Sequence, residues 1–85
     1  MKANIKKFVK ERNEMLLKRD VQELRRFIYK CPLYSDEFKK KISDASDEVL
    51  EATLHKMIVN IPKLPEFDRR CSALWLISHG YDLNV

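Results

Sequence analysis

Glycine is almost absent from this chain: Gly80 is the only one, beside three prolines in 85 residues. Tight β-hairpin turns need residues at positive φ, which glycine adopts most readily, so a chain this poor in glycine favours helices. Gly80 directly follows the apolar run from Ala73 to His79, where a left-handed residue commonly ends a helix. We therefore predict an all-α fold, with four to five short helices packed as antiparallel hairpins in one compact domain spanning residues 1–85.

Composition limits the class of protein. The chain is 45% hydrophobic and 35% charged, which suits one small core with a charged exterior. No apolar run approaches the length of a membrane span, and no apolar stretch follows the basic start as in a secretory signal. We therefore expect a cytoplasmic protein with no membrane contact, in which Cys31 and Cys71 are buried thiols rather than a disulfide.

Apolar spacing and capping residues predict five helices. The expected ranges are Ala3 to about Lys18, Val21 to about Lys30, a short helix opened by Ser35, Ser46 to about Val59, and Pro65 to about His79. Asp20, Ser35 and Ser46 are the predicted N-caps. The short link after Lys18 predicts either a tight antiparallel pair of helices or one kinked helix. The fifth helix is apolar around most of its circumference, which predicts a central position with packing on more than one side.

The sequence shows no arrangement typical of catalysis or metal binding. Its two histidines, His55 and His79, have no partner at metal-ligand spacing, and the cysteines do not form a C-x-x-C pair. One glycine cannot build a phosphate-binding loop. The carboxylates near Asp47 cluster at a helix start, where they cap the helix. We predict a protein that is not an enzyme and that has no catalytic, metal or cofactor site.

Part of the chain resembles ankyrin repeats. In the segment from Trp75 to Asn84, an apolar helix closes on Gly80, and Asp82 and Asn84 follow in the turn. The segment from Lys18 to Ile28 is similar to the junction and second helix of an opening repeat. The stretch Thr53-Leu54-His55 is similar to the threonine, leucine and histidine that begin a repeat.

The resemblance covers about a third of the chain and has clear departures. The proline between Thr53 and Leu54 is missing, the loop from Asn60 to Pro65 is long, and the short helix near Phe38 has no counterpart. Ankyrin repeats stack into surfaces that bind proteins, usually in arrays of three or more units. The resemblance therefore implies a non-catalytic, regulatory protein-interaction module whose partner protein the sequence does not identify.

A basic nucleic-acid-binding accessory protein is the alternative hypothesis. Residues 1–30 contain ten Lys and Arg against four Asp and Glu, whereas residues 31–85 contain seven against nine. If the first two helices pair, their cations could form one phosphate-binding patch, as in a helix-turn-helix variant. The candidate residues are Lys6, Lys7, Lys10, Lys18, Arg19, Arg25 and Arg26.

Aromatic residues give a third hypothesis, which is self-association or contact with a protein partner. Tyr29, Tyr34 and Tyr81, together with Trp75, are the candidate contact residues. The same residue types also occur at the edges of hydrophobic cores, so the sequence leaves both roles open.

Overall fold

Five α-helices make up the regular structure of the protein. The computed structural model describes the backbone of residues 3–83 and the side chains of residues 5–83, and this part of the chain contains no strand. The helices are α1 Ala3–Leu17, α2 Val21–Lys30, α3 Asp36–Asp44, α4 Asp47–Val59 and α5 Glu66–Ser78. The radius of gyration of 12.9 Å is close to the roughly 12 Å expected for a compact chain of this length. The predicted all-α, single-domain fold with helical hairpins is confirmed.

The three predicted N-caps are confirmed. The side chains of Asp20, Ser35 and Ser46 each accept hydrogen bonds from backbone amides two or three residues later, at 3.0–3.3 Å. Pro65 was expected as the first residue of the fifth helix, and this is wrong. Its ψ of 140° is extended, so Pro65 precedes the helix and Glu66 begins it.

The turn between α1 and α2 depends on an unusual backbone conformation. Arg19 adopts φ +54°, a left-handed conformation that is unfavourable for a residue with a Cβ atom. This one residue reverses the chain, so α1 and α2 form a tight antiparallel pair rather than one kinked helix. The rings of Phe8 and Phe27 stack across the pair, with 5.3 Å between their centres.

The hydrophobic core is centred on α4. Its residues Leu50, Leu54 and Ile58 are fully buried. They pack in one cluster with buried side chains of α1, α2 and α3 and of the loop before α5, namely Met15, Leu16, Leu24, Ile28, Ile42 and Leu64. Since α4 also packs against α5, α4 is the central helix of the fold.

The predicted central position of α5 is wrong. This helix packs mainly on α4, towards which it buries Ser72 and Leu76 completely. Phe67, in the first turn of α5, is exposed. Among the described residues, α5 has α4 as its main neighbour, on one side only.

The C-terminus of α5 is closed by Gly80, as the sequence predicts. Gly80 has φ +80° and donates its amide hydrogen to the carbonyl of Ile77 at 3.1 Å, and Tyr81 donates to Leu76 at 2.9 Å. This pair of hydrogen bonds is the Schellman motif, in which a glycine supplies the left-handed residue.

Among the described residues, no helix is both long enough and apolar enough to span a bilayer.

Candidate functional site

A stack of rings lies beside the contact between α4 and α5. The Trp75 ring lies 4.6 Å from the His55 ring and 3.9 Å from the His79 ring, with nearly parallel planes. Tyr81 extends the stack at 5.9 Å from Trp75, and the Lys56 ammonium lies 5.8 Å from the centre of the Tyr81 ring. The four-residue spacing of Trp75 and His79 could have suggested their contact. His55 lies on another helix, so only the packing reveals its place in the stack.

His55 is a buried polar residue with satisfied hydrogen bonding. Its ring is only 4% exposed, and its Nδ1 atom lies 2.8 Å from the Ser72 hydroxyl, which is also fully buried. Its Nε2 atom lies 3.8 Å from the Glu51 carboxylate. Burial lowers the pKa of His55, and the nearby Glu51 carboxylate offsets part of this change. The His55–Ser72 hydrogen bond connects α4 to α5, and burial favours the neutral imidazole there.

Stability is expected to fall as the pH drops below 6.5, the ordinary pKa of histidine. The pKa of His55 is lower in the folded chain. As the pH falls, the unfolded chain therefore binds a proton at this position at a higher pH than the folded chain does. The contribution of His55 to the free energy of unfolding is therefore complete at pH values above its unfolded-state pKa. It is lost as the pH falls towards the folded-state pKa. Urea unfolding between about pH 7.5 and 5.5, followed by fluorescence of Trp75, measures this effect. A His55→Gln variant with the same pH dependence as the original protein would contradict the assignment to His55.

The seven cations predicted to bind phosphate differ in their contacts with the rest of the protein. Arg19 pairs with Asp68 at 2.7 Å, and Lys18 lies 3.5 Å from Glu23. Arg25 donates to three backbone carbonyls at the end of α3, at 2.9–3.2 Å, and to Asp47 at 2.8 Å. The other four are exposed and have no ion pair to a described residue: Lys6, Lys7, Lys10 and Arg26.

A groove of about 910 Å³ runs between α1 and α2. Apolar side chains, including Phe8, Met15 and Phe27, line its floor. Its charged lining is mixed and consists of Lys7, Lys18, Arg26, Lys30, Glu11, Glu14 and Glu23. Because cations and carboxylates alternate there, this groove does not have the uniform positive charge that a phosphate backbone favours.

The three predicted tyrosine contacts differ in accessibility. Tyr34 is half-buried between Phe8 at 5.9 Å and Phe38 at 5.2 Å, and burial raises its pKa. Tyr81 is half-buried in the ring stack. Tyr29 is 72% exposed, so it is the tyrosine of the three that offers its ring to a partner.

The outer face of α5 carries large apolar side chains. Phe67 is 75% exposed, Leu74 is 66% exposed and Ile77 is 58% exposed. These residues are seven and three positions apart, which places them on one side of the helix, opposite the buried Ser72 and Leu76. We call Phe67, Leu74 and Ile77 the outer face of α5.

The described part of the chain contains no group of three or more His, Cys, Asp or Glu residues arranged to hold a metal ion. Both cysteines are free thiols. Cys31 is buried as predicted, whereas Cys71 is only half-buried, because it lies on the flank of α5 between its buried side and its outer face.

Comparisons with protein-family models, with curated proteins and with solved structures found no match. The fold defines a small all-α protein of helical hairpins.

Proposed function

We propose that the protein is a small, non-enzymatic protein-interaction module that contacts its partner through the outer face of α5. The observation that carries this proposal is the exposure of Phe67, Leu74 and Ile77 on one side of a helix. Large apolar side chains clustered on a surface favour burial against another molecule, and aromatic residues are enriched at the centres of protein interfaces.

The composition of α5 supports the same proposal. A helix that is apolar on two opposite sides is suited to packing on both. In this chain α4 covers the side with Ser72 and Leu76, which leaves the outer face for a partner. Arg70 lies three residues after Phe67 and four before Leu74, so it lies on the same side of α5. It is exposed and pairs with Glu66 at 3.5 Å, so it would contribute a polar group to that contact.

The resemblance to ankyrin repeats favours a partner that contacts this face with helices of its own. In such proteins each hairpin covers the face of its neighbour, so an uncovered hairpin presents a surface shaped for another helical unit. The proposal of a non-enzymatic role is supported by the two histidines, the usual residues for acid–base catalysis, since both participate in the ring stack.

Site-specific photocrosslinking tests this proposal in cells. A photoreactive amino acid at position 74 is expected to give one discrete adduct with a partner protein. The same group at position 40, an exposed lysine on α3, is the control and is expected to give none. Adding Phe67→Ser, which removes the largest side chain of the outer face, is expected to abolish the adduct while circular dichroism stays unchanged.

Two results would contradict the proposal. The first is an identical crosslinking pattern at positions 74 and 40, and the second is a position-74 adduct that persists in the Phe67→Ser variant. An adduct of twice the mass of the chain would identify the partner as a second copy, which sedimentation of the purified protein would confirm.

A further inference from the structure

A second, smaller groove lies between α2 and α3. Its volume is about 200 Å³, and its lining includes Arg25, Arg26, Tyr29, Lys30 and Lys39. No carboxylate contributes to this lining, which distinguishes it from the mixed groove between α1 and α2. The groove therefore combines four cationic side chains with one aromatic ring.

Three of the four cations are available to a ligand. The Arg25 guanidinium donates hydrogen bonds to carbonyls at the end of α3 and to Asp47, so its position on one side of the groove is fixed. The side chains of Arg26, Lys30 and Lys39 make no hydrogen bond or ion pair to any residue within 5–83. Arg26 and Lys30 also border the mixed groove between α1 and α2, but the lining that they share with Lys39 contains no carboxylate. Three cations in such a lining favour a ligand with several negative charges.

Tyr29 adds a second kind of contact at the same place. Its ring is 72% exposed and is stacked on no aromatic ring within the described part of the chain. Arg26 precedes it by three residues on α2, which makes the two side chains neighbours on the helix surface. Lys30 and Lys39 line the same groove as the ring. An exposed aromatic ring in a positively charged groove is the arrangement on which a nucleobase stacks while phosphates follow the cations.

We infer that the groove between α2 and α3 binds single-stranded nucleic acid. A base stacks on Tyr29, and the adjoining phosphates contact Arg26, Lys30 and Lys39. A single strand can present the face of a base, whereas the bases of a duplex are stacked on one another and inaccessible to Tyr29. An acidic peptide would neutralise the cations but would leave the tyrosine ring without a partner. This surface is separate from the outer face of α5, so the inference goes beyond the proposed protein interaction.

Fluorescence anisotropy with a labelled oligothymidine of about ten nucleotides tests the inference. Three phosphate contacts predict a log–log salt slope of about −2 for a single strand, which is a loss of affinity of about twentyfold between roughly 50 and 200 mM salt. A duplex of the same length is expected to bind more weakly. Equal or tighter binding of the duplex would overturn the inference, as would the absence of binding at the lower salt concentration.

Matched variants locate the binding site. Lys39→Gln is expected to weaken binding several-fold, whereas Lys40→Gln, the same charge change at the next residue of α3, is expected to change it less than twofold. Tyr29→Ala is expected to weaken binding about tenfold, and Tyr29→Phe, which keeps the ring, to restore it.

Two outcomes of the variant series would overturn the assignment. Equal losses for Lys39→Gln and Lys40→Gln would show a diffuse charge effect, and an unaffected Tyr29→Ala would exclude stacking. Phe67→Ser is expected to leave nucleic-acid binding intact, so this variant separates a failure of the groove from a failure of the proposed protein contact.

Discussion

Leu54→Ala is expected to lower the free energy of unfolding by about 3–4 kcal/mol. Leu54 is fully buried at the middle of α4 and belongs to the core cluster shared with α1, α2 and α3. Truncation removes the transfer free energy of the side chain and leaves a cavity that the neighbouring helices fill only in part. A domain of this size has a total stability on the order of 5–10 kcal/mol, so the variant is expected to lose a large part of it.

The matched control for this change is Leu74→Ala, the same substitution on the outer face of α5. Leu74 is mostly exposed, and its truncation is expected to change stability by less than about 0.5 kcal/mol. Urea unfolding of both variants, monitored by circular dichroism, gives the two values. A loss for Leu74→Ala as large as that for Leu54→Ala would show that the outer face of α5 is buried in the isolated chain, and would also contradict the proposed protein-binding surface.

Arg25→Met is expected to destabilise the protein by about 2–3 kcal/mol. The Arg25 guanidinium donates to the carbonyls of Ile42, Ser43 and Ala45, which the end of α3 leaves without helical partners. Hydrogen bonds to a charged group are worth more than neutral ones. The ion pair with Asp47 adds little, because the Asp47 side chain is largely exposed.

Arg26→Met is the control, since it removes the same charge from the next residue of α2. Arg26 is exposed, and its loss is expected to change stability by less than about 0.5 kcal/mol. Thermal melting followed by circular dichroism compares the two variants under one set of conditions. Similar melting temperatures for both would mean that the carbonyls of α3 are equally well satisfied by water, and that Arg25 has no structural role.

Three helix starts and the end of α5 could be predicted from local sequence, whereas the start of α5 could not. Asp20, Ser35 and Ser46 each act within three residues of their own position, and Gly80 acts within the turn that it closes. The position of α5 could not be predicted in this way. Periodicity shows that a helix has apolar sides, but it does not show whether its own chain or another molecule covers them.

The candidate surfaces were predictable only in part. Basic residues on α2 were recognised, but the capture of Arg25 by the end of α3 depends on how the two helices pack. Lys39 joins Arg26 and Tyr29 only because α3 folds back against α2. The contact of His55 with Trp75 likewise joins residues on separate helices, which no spacing along the chain could reveal.

The contact of Arg19 with Asp68 has a consequence for the order of assembly. Most helices pack against their neighbours in the sequence, an arrangement of low contact order that allows rapid folding. The Arg19–Asp68 pair instead joins residues 49 positions apart, so it forms only when α5 and the turn between α1 and α2 have come together. The left-handed conformation of Arg19, in the turn between α1 and α2, lowers the stability of the fold by about 1–2 kcal/mol. The interaction that offsets part of this cost needs residues from both ends of the fold. The left-handed turn at Arg19 is therefore expected to gain this stabilisation only when the α1–α2 hairpin and the α4–α5 hairpin are joined.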